Sequence, residues 1–138
     1  MARPGLTARA LLLGLLALTI AAGLGVRAVL AGWTAKYLGV ALWATAAYFT
    51  VLLVRPSLSV LRAAAIALAV SWAVELAQLT PGPAYLSSRY FFFRLLLGSD
   101  FGAWDLPAYL AGVLIGAAVH RAVAGWLQRG LARQPAGS

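Results

Sequence analysis

The stretch AAAIALAVSWAVELAQL at residues 63–79 decides the fold class, because Glu75 is its single charged residue. It begins directly after Arg62 and ends shortly before Pro81. A helix that crosses the hydrocarbon core of a bilayer needs about 20 residues, with a range of about 17–25. The stretch is long enough, and its composition of Ala, Leu and Val suits a helix in lipid. The sequence therefore predicts a membrane-spanning helix here.

Three further apolar segments accompany this one. Residues 10–26 and 37–54 contain no charged side chain, and the segment from Leu106 to about Trp126 carries charge only near its end. The predicted spans cover about residues 8–32, 37–54, 61–79 and 105–127. Alternating strand patterns are absent from the sequence, which argues against a barrel. We therefore predict an all-α polytopic membrane protein that forms one domain over residues 1–138.

The composition argues against the soluble classes. Of the 138 residues, 63% are hydrophobic and 10% are charged, against roughly 25% charged residues in an ordinary soluble domain. The formal net charge is +8, and the basic residues flank the apolar segments, as loop residues of membrane proteins do. We therefore expect neither a water-soluble enzyme nor a nucleic-acid partner. With no cysteine and one histidine, we also predict no metal site and no cofactor.

The basic residues predict an orientation. Four spans place both termini on one side of the membrane. That side holds seven basic residues, namely Arg3, Arg9, Arg55, Arg62, Arg121, Arg129 and Arg133. The other side holds four, namely Arg27, Lys36, Arg89 and Arg94. Because cytoplasmic loops carry the excess of basic residues, we predict that both termini are cytoplasmic.

The connection between the third and fourth spans is unusual. It is too apolar for a solvated loop and too long for a simple turn. Within it, residues 84–98 contain a serine start signal and a glycine stop signal, but they are too few to cross a bilayer. We predict a short helix that lies in the membrane interface or re-enters the bilayer. The alternative is a lipid-covered cap without chemistry.

The three acidic residues of the chain all fall within residues 75–105. Glu75 lies inside a predicted span, where an ionisable residue is costly and is by default a candidate for function. Gln78 follows at a spacing that puts it on the same helix face. Arg89 and Arg94 are predicted to be the counter-charges. The ligand-binding candidates are Glu75, Gln78, Arg89, Arg94, Asp100, Asp105 and Tyr109.

Small residues on the fourth span predict close helix packing. Ala108, Gly112 and Gly116 repeat every four residues, a spacing that lets another helix approach closely. We predict that the third span packs along this ladder. That packing would bring Glu75 toward Asp105 at the start of the fourth span.

These residues together resemble a known family. The spacing Glu75-x-x-Gln78, then Arg89, then Asp105-x-x-x-Tyr109-x-x-Gly112-x-x-x-Gly116 resembles the VanZ-like superfamily of bacterial membrane proteins. The stretch Leu97-Gly98-x-Asp100-Phe101-x-x-Trp104-Asp105-Leu106 resembles its branch called domain of unknown function twenty-eight-oh-nine. The resemblance covers nearly the whole chain and implies a small multi-pass protein of the bacterial inner membrane, linked to the cell envelope. Tyr109 stands where VanZ-like proteins often have Asn, so no role in glycopeptide resistance is carried over.

Three functions fit these features. The favoured one is binding of membrane lipids or a lipid-linked envelope precursor, with the arginines on phosphate and the acids on hydroxyl or amine groups. The second is a membrane-embedded enzyme that uses Glu75 and Asp105 as an acid/base pair, although no nucleophile motif supports it. The third is an ion or proton relay, or an accessory subunit for a membrane protein partner in which the polar cluster is purely structural. A relay should have acids at several depths, and their gathering at one end counts against it. For the first, we expect Glu75→Gln and Asp105→Asn to abolish function without unfolding the protein.

Overall fold

The helices follow the apolar segments of the sequence. The structure is a computed structural model that describes residues 4–97 and 101–133. In these ranges it contains no strand and six helices, which are α1 (Pro4–Val29), α2 (Gly32–Val54), α3 (Val60–Ala77), α4 (Pro81–Arg89), α5 (Phe91–Leu97) and α6 (Asp105–Ala132). Helices α1, α2, α3 and α6 are long and apolar enough to cross a membrane. The predicted all-α membrane fold with four spans is confirmed.

The turn between the first two spans is tighter than predicted. Helix α1 ends at Val29 and α2 begins at Gly32, whereas the sequence predicted spans over residues 8–32 and 37–54. Gly32 has a φ angle of 69°, a left-handed conformation that glycine adopts without steric cost. This single glycine reverses the chain, and the second span therefore starts earlier than predicted.

The connection between α3 and α6 contains two short helices. Helix α3 ends at Ala77, and Pro81 opens α4 in the first helical turn, where proline is favourable because it has no N–H to leave unpaired. The chain is extended at Tyr90 and then forms α5. The sequence predicted one helix over residues 84–98 instead. The depth of this α4–α5 segment in a membrane stays a prediction.

Helix α2 lies at the centre of the bundle. It packs against α1, α3 and α6, and α6 also packs against α3. The buried apolar side chains are Leu12, Ala44, Tyr48, Phe49, Leu52, Ala63, Ala67, Tyr109 and Val113. Many large apolar side chains stay exposed on the outer faces of the spans. Such surfaces are compatible with lipid, which is as apolar as these side chains.

The small-residue ladder of α6 packs against α2. A Cβ atom at Gly112 would lie 2.7 Å from the carbonyl carbon of Ala41, so the two backbones touch there. Thr45 Oγ1 donates a hydrogen bond to the carbonyl oxygen of Gly112 at 2.8 Å, and Gly116 lies against the ring of Tyr48. The predicted close packing therefore exists, but its partner is the second span rather than the third. Periodicity within one helix shows a smooth face without showing which neighbour covers it.

Glu75, Asp105 and Lys36 all lie at one end of the bundle. Helices α2 and α6 begin at this end and α3 ends there, because consecutive spans run in opposite directions. We call it the site end. At the other end, the hydroxyl of Tyr48 lies 2.9 Å from Nδ1 of His120, a contact that links α2 and α6 a second time.

Candidate polar site at one end of the bundle

Glu75 is the most buried charged side chain at the site end. It lies in the last turns of α3 and is 1% exposed. Its Oε1 accepts a hydrogen bond from the backbone N–H of Gly102 at 2.6 Å. Its Oε2 accepts one from the hydroxyl of Tyr109 at 2.9 Å. Each oxygen of the side chain therefore has a donor within the protein. The side chain thereby ties α3 to α6 and to the loop that precedes α6.

Asp105 is paired with a residue that sequence reasoning did not select. Asp105 is buried at the first position of α6, and its Oδ1 lies 3.3 Å from Nζ of Lys36. Lys36 comes from the first turns of α2, and its side chain is 48% exposed. An acid at a helix N-terminus also interacts favourably with the helix dipole. The pair therefore joins the starting ends of α2 and α6.

Gly102 occupies the narrow space between the two acids. A Cβ atom there would lie 2.8 Å from Oδ2 of Asp105 and 3.0 Å from Nζ of Lys36. Its carbonyl accepts a hydrogen bond from the backbone N–H of Asp105 at 2.9 Å, and its own N–H binds Glu75. The absence of a side chain thus lets the backbone reach the carboxylate. We define the polar site by its five residues, which are Lys36, Glu75, Gly102, Asp105 and Tyr109.

Trp72 supports the same end of the bundle. It lies one turn before Glu75 on α3, and its indole N–H donates to the carbonyl oxygen of Leu106 at 3.1 Å. The first two turns of α6 therefore have two attachments to α3, one through Trp72 and one through Tyr109. These bonds fix the start of α6 relative to α3.

Arg89 and Arg94 do not supply the counter-charge predicted for Asp105. Both side chains are exposed. The guanidinium of Arg89 lies 5.4 Å from the ring centre of Tyr85, and that of Arg94 lies 5.2 Å from the ring centre of Phe91. Each arginine therefore stacks on an aromatic ring of its own short helix. Among the described residues the partner of Asp105 is Lys36, and the two arginines remain accessible on the α4–α5 segment.

The remaining candidates occupy different places. Gln78 is half-buried at the C-terminal cap of α3, where its backbone N–H donates to the carbonyl oxygen of Glu75. Asp100 lies outside the described residues. The structure brings Glu75, Asp105 and Tyr109 together with Lys36 and Gly102, which sequence reasoning did not select. Lys36 is the only lysine of the chain, and its place at the start of the second span was the signal that could have found it.

An open groove lies beside the polar site. Its lining residues are Trp33, Tyr37, Trp104, Pro107 and Ala108. Trp33 and Trp104 are each 74% exposed. The groove follows the junction between the beginnings of α2 and α6, next to the Lys36–Asp105 pair.

The family match covers this end of the bundle. The family model described as "Protein of unknown function (DUF2809)" matches residues 29–113, which is more than half of the chain. The chain belongs to this family. The DUF2809 region includes all five residues of the polar site and the whole α4–α5 segment, whereas most of α1 and the second part of α6 lie outside it. No match to the chain was found among curated proteins or among solved structures.

The Lys36–Asp105 pair of this DUF2809 protein makes a prediction for stability. Lys36→Met leaves the Asp105 carboxylate buried without that partner. We expect the free energy of unfolding to fall by about 1–3 kcal/mol, between the effects of exposed and of buried pairs, because Lys36 is half exposed. Lys36→Arg keeps the charge and should stay close to wild type. Unfolding by SDS in mixed micelles, followed by circular dichroism, measures the difference.

The control for this substitution is Arg62→Met, which removes an exposed cation at the other end of the bundle. It should leave the free energy of unfolding within about 0.5 kcal/mol of wild type. If Lys36→Met matched Arg62→Met, the ion pair would have no role in stability.

Proposed function

We propose that this protein binds a phosphate-bearing lipid or lipid-linked molecule of the bacterial envelope through Arg89 and Arg94 of the α4–α5 segment. In this proposal it is a multi-pass protein of the inner membrane, with both termini in the cytoplasm and the site end on the outer side. The excess of basic residues at the other end supports the orientation. The resemblance to the VanZ-like superfamily supports the link to the envelope.

One observation carries the proposal. Glu75 and Asp105 are buried and already have partners within the chain, whereas Arg89 and Arg94 are exposed and have neither acid as a partner. The guanidinium of arginine binds phosphate with two parallel hydrogen bonds. The cations of this segment are thus available to a ligand, and the carboxylates are not.

Exposed aromatic rings place these cations in a suitable setting. Tyr85, Tyr90, Phe91 and Phe92 are all exposed on the same α4–α5 segment. Aromatic side chains concentrate at the level of the lipid headgroups, where phosphate groups also lie. A segment with this composition therefore fits a surface that receives a lipid phosphate.

The polar site has a positioning role in this proposal. Glu75 is 1% exposed and both its oxygens accept hydrogen bonds from the protein, so its carboxylate is not accessible to a substrate in this structure. This geometry favours neither the enzyme hypothesis nor direct contact of the acids with ligand. The site instead holds the start of α6 against α2 and α3, and the α4–α5 segment is connected between α3 and α6.

The experiment compares lipid binding by two double variants in native mass spectrometry. The probes are polyprenyl phosphate, polyprenol without phosphate, and phosphatidylglycerol, each added to the protein in mild detergent. Arg89→Ala with Arg94→Ala should bind polyprenyl phosphate at least about tenfold more weakly than wild type, because charge-assisted hydrogen bonds contribute about 1.5–3 kcal/mol each. Polyprenol has no phosphate, so its affinity should be weak and should be the same for the wild type and for this variant.

The matched control is Arg55→Ala with Arg62→Ala. It removes the same charge from two exposed arginines at the opposite end of the bundle. Equal loss in both double variants would show a general effect of net charge and overturn the proposal. Unchanged binding of polyprenyl phosphate by both double variants would also overturn the proposal and would favour the accessory-subunit hypothesis. Preference for phosphatidylglycerol over polyprenyl phosphate would identify an ordinary membrane lipid as the ligand.

A further inference from the structure

The groove beside the polar site has two apolar walls. Trp33 and Tyr37 lie one turn apart on α2 with their ring centres separated by 5.8 Å. Trp104, Pro107 and Ala108 form the opposite wall at the beginning of α6. The groove is shallow and open, and its lining is almost entirely apolar, which suits an apolar chain better than a polar molecule.

A cation lies at the edge of this groove. Nζ of Lys36 lies 5.7 Å from the ring centre of Tyr37 and contacts Asp105 at 3.3 Å. An ammonium group has three donors, and the contact with Asp105 is an ion pair in which Oδ1 of Asp105 accepts no hydrogen bond from the described residues. Because the Lys36 side chain is 48% exposed, its donors are accessible to an acceptor that lies in the groove.

We propose that this groove is a second lipid site, which takes an acyl chain of an anionic phospholipid while Lys36 contacts the phosphate. The occupant follows from charge complementarity, since an apolar groove with a cation at its edge matches an apolar chain with a negative headgroup. Zwitterionic lipids carry a positive group as well, which Lys36 repels. The site is separate from Arg89 and Arg94 and does not depend on the function proposed for them.

Because Lys36 is the only lysine, its modification measures occupancy directly. Protein in phosphatidylcholine nanodiscs, with or without phosphatidylglycerol, is acetylated with an amine-reactive ester. The rate at Lys36 is then followed by peptide mass spectrometry. We expect phosphatidylglycerol to slow acetylation of the wild type by about tenfold, the protection given when a ligand is present at about ten times its Kd.

Two substitutions of alanine by leucine test the groove itself. Ala108→Leu fills the groove, so the protection by phosphatidylglycerol should be lost. An unchanged rate of Lys36 acetylation in phosphatidylcholine discs alone would show that the Lys36–Asp105 pair is intact in this variant. Ala111→Leu adds the same side chain at an exposed position of α6 outside the groove, and protection should persist. Comparing both variants in the same nanodiscs also removes the general effect of a negative surface on amine reactivity.

Several outcomes would overturn this proposal. Equal protection in Ala108→Leu and Ala111→Leu would mean that the groove does not hold the lipid. If Lys36 were acetylated at the same rate with and without phosphatidylglycerol, no anionic lipid would be bound there. Trp33 and Trp104 would then be interface anchors only. The variant with Arg89→Ala and Arg94→Ala should keep the protection of Lys36, so failure of one lipid site is distinguishable from failure of the other.

Discussion

Gly112→Ala is expected to separate α2 from α6 and to remove most of the folded protein. The added Cβ would lie 2.7 Å from the carbonyl carbon of Ala41 and 2.9 Å from its Cα, and still closer to its carbonyl oxygen. Backbone atoms cannot move aside as the end of a flexible side chain can. The helices would have to separate, and the hydrogen bond from Thr45 to the Gly112 carbonyl would be lost with them.

The cost of this substitution exceeds that of ordinary overpacking. Extra methylene groups in a packed core destabilise by about 1–3 kcal/mol, and a backbone contact lies at the upper end or beyond it. Because α2 is the central helix, its displacement from α6 also disturbs the packing of both against α3. We therefore expect a loss of about 3 kcal/mol or more, measured by SDS unfolding and by the yield of monodisperse protein in detergent.

Gly125→Ala provides the matched control on the same helix. A Cβ atom at Gly125 has no neighbour within 4 Å. Alanine is favoured over glycine in a helix interior by about 1 kcal/mol, so this variant should be as stable as wild type or slightly more stable. If the two variants behaved alike, α6 would not lie against α2 at Gly112 as described.

Glu75→Ala is expected to have the second-largest effect. The substitution removes both acceptors from the buried carboxylate position, so the Gly102 N–H and the Tyr109 hydroxyl lose their partner. Leaving buried donors unpaired costs about 1–3 kcal/mol each, and the smaller side chain adds a cavity. We expect the free energy of unfolding to fall by about 2–4 kcal/mol in the SDS measurement.

Glu75→Gln is the control that keeps the shape of the side chain. Its carbonyl can accept from Gly102, and its amide can donate to the hydroxyl oxygen of Tyr109. Interhelical hydrogen bonds in membrane proteins average about 0.6 kcal/mol, so this variant should lose less than about 1 kcal/mol. Equal destabilisation by Ala and Gln would show that the charge matters more than the two hydrogen bonds.

The same variant separates a positioning role for Glu75 from direct ligand contact. If Glu75 only positions the helices, Glu75→Gln should bind polyprenyl phosphate as wild type does. The sequence predicted instead that this substitution abolishes function without unfolding the protein. A stable variant without binding would support that prediction and return the carboxylate to the ligand site.

The spans and the location of the acids were predictable because they depend on local properties. An apolar run of about 20 residues must form a helix in a membrane, whatever lies beside it. The order of four such helices then places the end of the third span and the start of the fourth at the same side. This argument alone brought Glu75 and Asp105 to one end of the bundle, and Tyr109 followed from its spacing after Asp105.

The tertiary structure decided which groups meet across helices. The partner of Asp105 is Lys36 of α2, and a partner of Glu75 is the backbone of Gly102, because the arrangement of the helices brings these groups into contact. The ladder around Gly112 contacts α2 for the same reason. Spacing along one helix determines which residues share a face, but contact also depends on the position and rotation of the neighbouring helix. Those variables are set by packing of the whole bundle, so only the folded structure could assign these pairs.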